Sequence, residues 1–441
     1  MDSSKKVEAR TLKGFRDLLP AEALLKERLL QKIKAVFFSF GYAPIETPHI
    51  EYTDVLIGET SGEIGKQLYR FEDQGKRDVC LRFDLTVPFA RFISQHKADL
   101  GVPFKRYAVG NVFRGEQPQF GRYREFTQCD FDFVGVDTLT ADAEIIELIM
   151  AQMQGLGLSD FVVRINNRKS MNGLAHSLGI QDKASDMLRV IDKYDKIGRD
   201  GVRSELKKEL LIGDDLIDEV LAFVEITAES DATVFERVQV YKEKNELLKI
   251  GLEELEQISD ILKQSGLGAY FKIDFTIARG LGYYTGIVYE TNLKSMPEIG
   301  SVCSGGRYDG LTQNFSKERL PGVGASIGLD RLIAALLKLE IMETANTPAK
   351  LLLTLMDIKE CGAVHKLAAQ FRSLGVATEV YPEPAKLKKQ FQYADRKGHK
   401  FVAVIGAAEL AAGTVSLRNV ESGDQQSCAS VQEAVKIITT T

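Results

Sequence analysis

An α+β body, interrupted by a helical insertion and followed by a small α/β domain, is the fold class this sequence predicts. Three observations carry it. Residues 104–136 read as an antiparallel hairpin, with FKRYAVGNVFRGE and RYREFTQCDFDFVG on either side of a turn-rich QPQFG. Residues 180–265 change character: they are charge-dense, mostly helical in period and punctuated by Gly198, Gly201 and Gly213. Beyond residue 350, strand and helix patterns alternate, which implies a mostly parallel sheet. At 441 residues the chain is too long for one ordinary domain and long enough to bury large cores.

Taken in order, residues 20–40 carry apolar side chains at helical spacing between Pro20 and Gly41, one amphipathic helix. YAPIETPHIEY is extended, since its two prolines forbid a helix. In the second strand of the hairpin, Gln128, Asp130 and Asp132 share one face and Cys129, Phe131 and Phe133 the other. The polar line could floor a ligand pocket, or could be the solvated face of an ordinary antiparallel sheet. A helix follows at 138–156 and a strand at 161–166. After the insertion, strand patterns return at 271–292 and 299–304, and GVGASIGLDRLIAALLKLE takes a small-residue strand into a helix. ETANTPA (343–349) is a linker. Then come LLLTLM, a helix near 360–374, TEVYP, a helix near 386–398, FVAVIG, GTVSLRNV and a last helix. The expected domains are 1-179 and 266-342 as one body, 180-265 as the insertion and 350-441 as the C-terminal domain.

The net charge of −5, from 57 basic and 62 acidic residues, argues globally against a nucleic-acid protein. It is unevenly spread. Residues 347–441 hold 12 Lys+Arg against 9 Asp+Glu, net +3, and the first 346 hold 45 against 53, net −8. Five dispersed cysteines (Cys80, Cys129, Cys303, Cys361, Cys428) form no CxxC, and five histidines never pair at i, i+4. A disulfide framework or a metal site of protein Cys and His is therefore not expected. A reducing, cytoplasmic setting is. The N-terminus has no secretory core, and no run of 18 apolar residues suggests a membrane span.

No GxxxxGK[ST] occurs. Gly322, Gly324 and Gly328 give GxGxxxG, one residue off the dinucleotide fingerprint. These glycines suit close backbone packing or the approach of a flat ligand such as a base. Arg114, Arg279 and Arg331 are convergent candidates for a polyphosphate, because a guanidinium is always charged and offers forked donors; any one of them alone is more often a surface ion pair. The carboxylates Asp84, Glu116, Asp130 and Asp132 could hold an amino group or a divalent cation, or could pair locally with Arg82, Arg91, Arg106 and Arg124. Tyr283, Tyr284 and Tyr308 lie among glycines that permit tight bends presenting a phenol, or are aromatic core beside turns. A cluster of Lys386, Lys388, Lys389, Arg396, Lys397 and Lys400 could meet phosphates or be a solvated helix face.

With these residues in hand, FKRYAVGNVFRGEQPQFGRYREFTQCDFDFVG resembles motif 2 of the class II aminoacyl-tRNA synthetases, and GVGASIGLDRL resembles motif 3. GFRDLLP, LRFDLTVPFAR, ARGLGYYTGIVYE and CSGGRYDGL are similar to the blocks that mark histidyl-tRNA synthetases; VAVIGAAEL and GTVSLRN resemble the anticodon-binding domain of that family. The resemblance runs from about Gly14 to Gln426. It implies a six-stranded antiparallel catalytic sheet, ATP with accompanying Mg2+, L-histidine and tRNA(His) as substrates, and a homodimer formed through a region around residues 42–56. It also implies two steps: attack of the histidine carboxylate on the α-phosphate, giving histidyl-adenylate, then transfer to the terminal ribose of the tRNA. By the same resemblance, Arg114 and Arg279 are the catalytic residues, near the reacting carboxylate and α-phosphate, and both border the histidine site. Glu116 lies near the adenine, Arg122 meets the outer phosphates and Arg331 the γ-phosphate. Asp84, Thr86 and Gln128 hold the α-amino group, Asp132 and Tyr284 read the imidazole, and Tyr283 and Tyr308 line the pocket. The sequence departs from the family at Gly282, where RGLDYYTG carries an aspartate. A synthetase-like paralogue with a regulatory task is the alternative; it typically lacks the C-terminal domain.

Overall fold

The computed structural model describes residues 7–57, 63–227, 231–278, 283–342 and 345–440. The chain divides into two compact units, Met1–Arg16 with Leu29–Leu339, and Asp17–Arg28 with Glu340–Thr441.

The larger unit is organised by one sheet of eight strands: β1 (Ala43–Pro44), β2 (Phe104–Phe113), β3 (Glu125–Val134), β4 (Phe161–Asn167), β5 (Phe271–Ile273), β6 (Ile287–Leu293), β7 (Cys303–Tyr308) and β8 (Gly322–Gly328). Their order across the sheet is β1-β2-β3-β8-β7-β6-β4-β5. The six central strands are antiparallel throughout, whereas β1 joins β2 in parallel and β5 joins β4 in parallel. The expected six-stranded antiparallel sheet is thus the core of a slightly wider one. The two added strands span two and three residues, too short to show a period.

The hairpin is β2–β3, paired from Phe104↔Val134 to Phe113↔Glu125. Its apolar face meets the helix Pro20–Ser39, where the Phe37 ring lies 4.8 Å from that of Tyr107 and 5.2 Å from that of Phe131. The polar face is not solvated as an ordinary sheet face would be. Gln128, Asp130 and Asp132 are all buried, the two aspartates to 1% and 2% exposure. A second, three-stranded sheet of Ile50–Tyr52, Asp78–Leu81 and Arg70–Glu72 was not expected, its strands being too short for alternation to register.

The described part of 180–265 is helical, ending in a long helix, Glu246–Gln264, that Asn245 caps by accepting from Leu247 N (2.9 Å) and Leu248 N (3.3 Å). This helix crosses the helix Arg168–Ser177 closely. A Cβ on Gly173 would sit 2.2 Å from Leu248 N, and one on Gly251 2.3 Å from Ser170 N.

In the smaller unit, strands β9 (Leu351–Leu353), β10 (Thr378–Val380), β11 (Phe401–Val404), β12 (Val415–Asn419) and β13 (Gln425–Cys428) are ordered β10-β9-β11-β12-β13. Helices Cys361–Ser373 and Val431–Thr440 bury Phe371, Val364, Ala434 and Ile438 against it. The sheet is mixed: two pairings are parallel and two antiparallel, against the expectation of a mostly parallel sheet. The difference is β13, whose QQSC carries no apolar alternation and sits at an edge.

Candidate active site

Register builds the site. On the front face of the large sheet, Asp132 stands between Arg106 and Gly324, Asp130 between Ala108 and Ser326, and Gln128 between Gly110 and Gly328. Directly paired residues share a face, so a polar row is flanked mainly by side chains too small to fill the space above it. Gly324 is required there, since a Cβ would lie 2.1 Å from Asp132 Oδ1 and 2.7 Å from the Phe131 carbonyl. Gly322 likewise admits the Tyr308 ring, which a Cβ would approach to 2.5 Å. At Gly328 the nearest atom to such a Cβ is 3.9 Å away, which leaves room for a flat ligand. Of the two readings of GxGxxxG, packing explains the first two glycines and open space the third.

At one end of the row, Asp132 is engaged on both oxygens. Tyr308 OH donates to Oδ1 at 2.6 Å, and the wholly buried Arg106 guanidinium lies 2.5 Å from Oδ2. Arg106 also covers the Phe89 ring at 4.4 Å. Burial pushes the Asp132 carboxyl up, and the Arg106 charge opposes the shift. Each carboxylate oxygen still has a second lone pair for a ligand. Tyr283 lies between Tyr284 (rings 4.9 Å apart) and Tyr308 (6.0 Å) as an aromatic wall. Burial raises all three phenols, which stay protonated donors at neutral pH.

Asp84 accepts from Val87 N (3.0 Å) at the start of the helix Thr86–Leu100. Thr86 Oγ1 reaches Asp130 Oδ2 at 3.4 Å, and Gln128 Nε2 donates to Ser326 Oγ at 2.6 Å, leaving Gln128 Oε1 buried without a hydrogen bond. Local pairing with arginines does not account for these groups. Arg82 spends its guanidinium on Asn111 O, Thr47 O and His49, Arg91 pairs with Glu51, and Arg124 bonds the Glu116 and Lys13 carbonyls. Among the described residues, only Arg106 pairs with a carboxylate of the row.

At the other end, three arginines gather. Arg114 bonds Phe83 O (3.1 Å) and stacks between the Phe83 and Phe126 rings, at 4.4 and 5.1 Å. Arg331 donates to Ser301 O (2.5 Å) from the helix Leu329–Lys338, which opens where β8 ends. Arg122 lies 3.6 Å from Glu116 in the loop between β2 and β3. Burial first, then the charges of Arg122 and Arg114, pull Arg331 down to about 10, still a cation at neutral pH. Mutually repelling, half-desolvated guanidiniums form a site that an anion relieves. Glu290 faces Arg331 from β6, its carboxyl pushed up to about 7 by burial. Asp330 fastens this end, accepting from Thr127 N (2.7 Å) and from Arg16 (2.9 Å), so GFRDLLP is tied to the motif 3 helix.

Arg279 and Gly282 lie outside the described residues. In the smaller unit, Lys386, Lys388, Lys389, Arg396 and Lys400 are exposed and Lys397 half-buried, around the helix Leu387–Lys397. Lys389 pairs with Glu383 at 2.6 Å, and Arg396 and Lys397 lie over the Tyr393 ring. From the sequence, Arg106 is no more than an ion-pair partner. Its register opposite Asp132, in a strand otherwise apolar on that face, is the signal that marks it as part of the pocket.

A family model for histidyl-tRNA synthetase matches residues 14–332, and one for an anticodon binding domain matches 356–441. The histidine–tRNA ligase of Helicobacter pylori is 52% identical over 435 residues, 98% of each chain. That of Wolinella succinogenes is 51% identical over 434 residues, again 98% of each. The crystal structure of histidyl-tRNA synthetase from Nostoc sp. PCC 7120 superposes with a TM-score of 0.89 at 38% identity, covering 99% of this chain and 100% of that one.

Proposed function

The chain belongs to the histidyl-tRNA synthetase family, and on that premise we propose that the front of its large sheet joins L-histidine to tRNA(His) at the expense of ATP. It is an aminoacyl-tRNA ligase of class II fold with a C-terminal anticodon-binding domain. The observation that carries the site assignment is the adjacency, on one sheet face, of a buried carboxylate–phenol pocket (Asp132, Tyr308, Arg106) and a cluster of arginines (Arg114, Arg122, Arg331).

In this reading the imidazole enters between Asp132 and Tyr284, with Tyr283 and Tyr308 as walls. An analogue lacking the ring nitrogens would leave those buried polar groups unpaired, the strongest form of rejection a pocket has. Asp84, Thr86 and Gln128 take the α-amino group; the buried, unpaired Gln128 Oε1 supports this. Arg114 and Arg279 hold the carboxylate against the α-phosphate, and Arg122 and Arg331 hold the outer phosphates, with Glu116 near the adenine. A carboxylate oxygen attacks phosphorus, pyrophosphate leaves, and the fixed guanidiniums stabilise charge as it spreads over the equatorial oxygens. The terminal ribose hydroxyl of the tRNA then attacks the carbonyl, and AMP leaves. Mg2+ would come with the nucleotide. The ion would be held by the phosphates and by one or two carboxylates, such as Glu116 and Glu290.

The boundaries 1-179, 180-265, 266-342 and 350-441, the cytoplasmic location and the homodimer through residues 42–56 belong to the same proposal. No described helix is long and apolar enough to cross a membrane. ATP–pyrophosphate exchange by the purified protein should depend on histidine and not on other amino acids, and Arg279→Ala should abolish it with the fold retained. A folded wild-type protein without exchange would turn the assignment toward a regulatory paralogue.

A further inference from the structure

Among the described residues, the pocket holds three buried carboxylates and one arginine in ion-pair contact with any of them. Asp84, Asp130 and Asp132 are all buried, and the Arg106 side chain is committed to Asp132, to the Leu85 carbonyl (3.3 Å) and to the Asp130 backbone carbonyl (3.5 Å). The Asp130 carboxyl, 1% exposed, has the neutral Ser326 hydroxyl beside it and a long contact from Thr86, and its Oδ1 lacks a hydrogen bond of normal geometry. It stands in the row between Gln128 and Asp132, with small Ala108 and Ser326 on either side. A buried carboxylate with no direct cationic partner is costly unless something cationic arrives.

Resting on the reading of the site given above, we propose that Asp130 is a specificity-determining residue that anchors the substrate's α-ammonium group together with Asp84, so that the entering cation meets a buried carboxylate with which no described residue forms an ion pair. Burial holds the Asp130 carboxyl at about 7 in the free protein, with Arg106 opposing the shift and Asp132 and Asp84 adding to it. The other charged or titratable groups near it are Arg82, Tyr283, Tyr284 and Cys303. Below that pH, Asp130 is neutral in the empty pocket and must lose its proton to solvent as the ammonium binds; the substrate keeps its own protons.

The sign for stability is opposite. Ionising a carboxyl whose folded-state value is raised costs stability as pH climbs from the ordinary carboxylate range through about 7. Asp130→Asn is therefore expected to be no less heat-stable than the wild type at pH 8.

The test uses the full chain in ATP–pyrophosphate exchange, with L-histidine as substrate and 3-(imidazol-4-yl)propionate, histidine without its amine, as competitive inhibitor. Both ligands carry an imidazole and a carboxylate, so their affinity ratio isolates the ammonium once each ligand's affinity is referred to its neutral-ring form, the ammonium of histidine lowering the pKa of its own ring. In the wild type, the preference for histidine should fall roughly tenfold from pH 8 to pH 6, the linkage expected of one proton at about 7. In Asp130→Asn the ratio should be flat with pH. KM for histidine in that variant should rise roughly tenfold or more, the loss of one charge-assisted hydrogen bond, while KM for ATP holds. A pH-independent ratio in the wild type overturns the inference, as does an unchanged histidine KM in a folded Asp130→Asn. A variant less stable than the wild type at pH 8 and equally impaired for ATP would make Asp130 structural. Absence of histidine-dependent exchange in the wild type would instead overturn the functional reading itself.

Discussion

Gly324 shows how a single residue decides what the pocket can be. With a hydrogen as its side chain it lets the Asp132 carboxylate and the Phe131 carbonyl come within the volume a Cβ would need. Both are fixed, one by Tyr308 and Arg106 and the other by the sheet ladder, so neither can yield cheaply. Gly324→Ala should lower stability by about 1–3 kcal/mol in urea unfolding and raise KM for histidine; an alanine variant with wild-type KM would show that Asp132 is freer than its contacts imply. Tyr308→Phe deletes one hydrogen bond to a buried carboxylate, about 1.5–3 kcal/mol. The effect should fall on histidine KM and leave KM for ATP in place, measured by exchange. Much of this was legible from the chain: alternation alone put Gln128, Asp130 and Asp132 on one face. Their burial was not legible, because period two says which side chains share a face and nothing about what covers it.

At the scale of elements, capping and close crossing explain the insertion better than propensity does. Asn245 starts the helix Glu246–Gln264, and Gly173 and Gly251 let it lie directly against Arg168–Ser177. Asn245→Ala should cost about 1 kcal/mol of stability with little effect on exchange, checked by thermal unfolding and by KM. The long periodic helices and the hairpin were readable because many residues repeat one signal. The parallel pairing of β1 and β5 at the sheet edges, the polar edge β13 and the three-stranded sheet were not, although β1 and β5 lie in stretches whose pattern reads as extended or strand. Strands of two to four residues offer too few alternations, and an edge strand needs no apolar face. The mixed C-terminal sheet follows from the same cause.

Over the whole molecule, charge separates along the chain: −8 on the first 346 residues and +3 on residues 347–441. The C-terminal excess includes the exposed cations around the helix Leu387–Lys397. If these meet tRNA phosphates, aminoacylation at subsaturating tRNA should fall steeply with salt. Replacing Lys386 and Lys388 with alanine should then reduce the slope of log affinity against log salt by about 0.7–0.9 for each phosphate that is no longer neutralised. Lys389, already paired with Glu383, should matter less. Salt-insensitive binding would mark the cluster as a solvated face. Exchange without tRNA should be unchanged in these variants.

The sequence by itself determined the class of fold, the hairpin, the helical insertion, the alternating C-terminal unit and, through its resembling blocks, the family. All of these are written in local periodicity or in contiguous residues. Tertiary structure alone decided that Asp132 is held by Arg106 and Tyr308, that Asp330 ties the N-terminal block to the helix Leu329–Lys338, and that Asp130 is buried with no cation of the described residues directly against it. Those facts depend on strand register and on which distant segments close over the sheet. Free energies of that kind arise from desolvation and from pairing across tens to hundreds of residues, which no local pattern encodes.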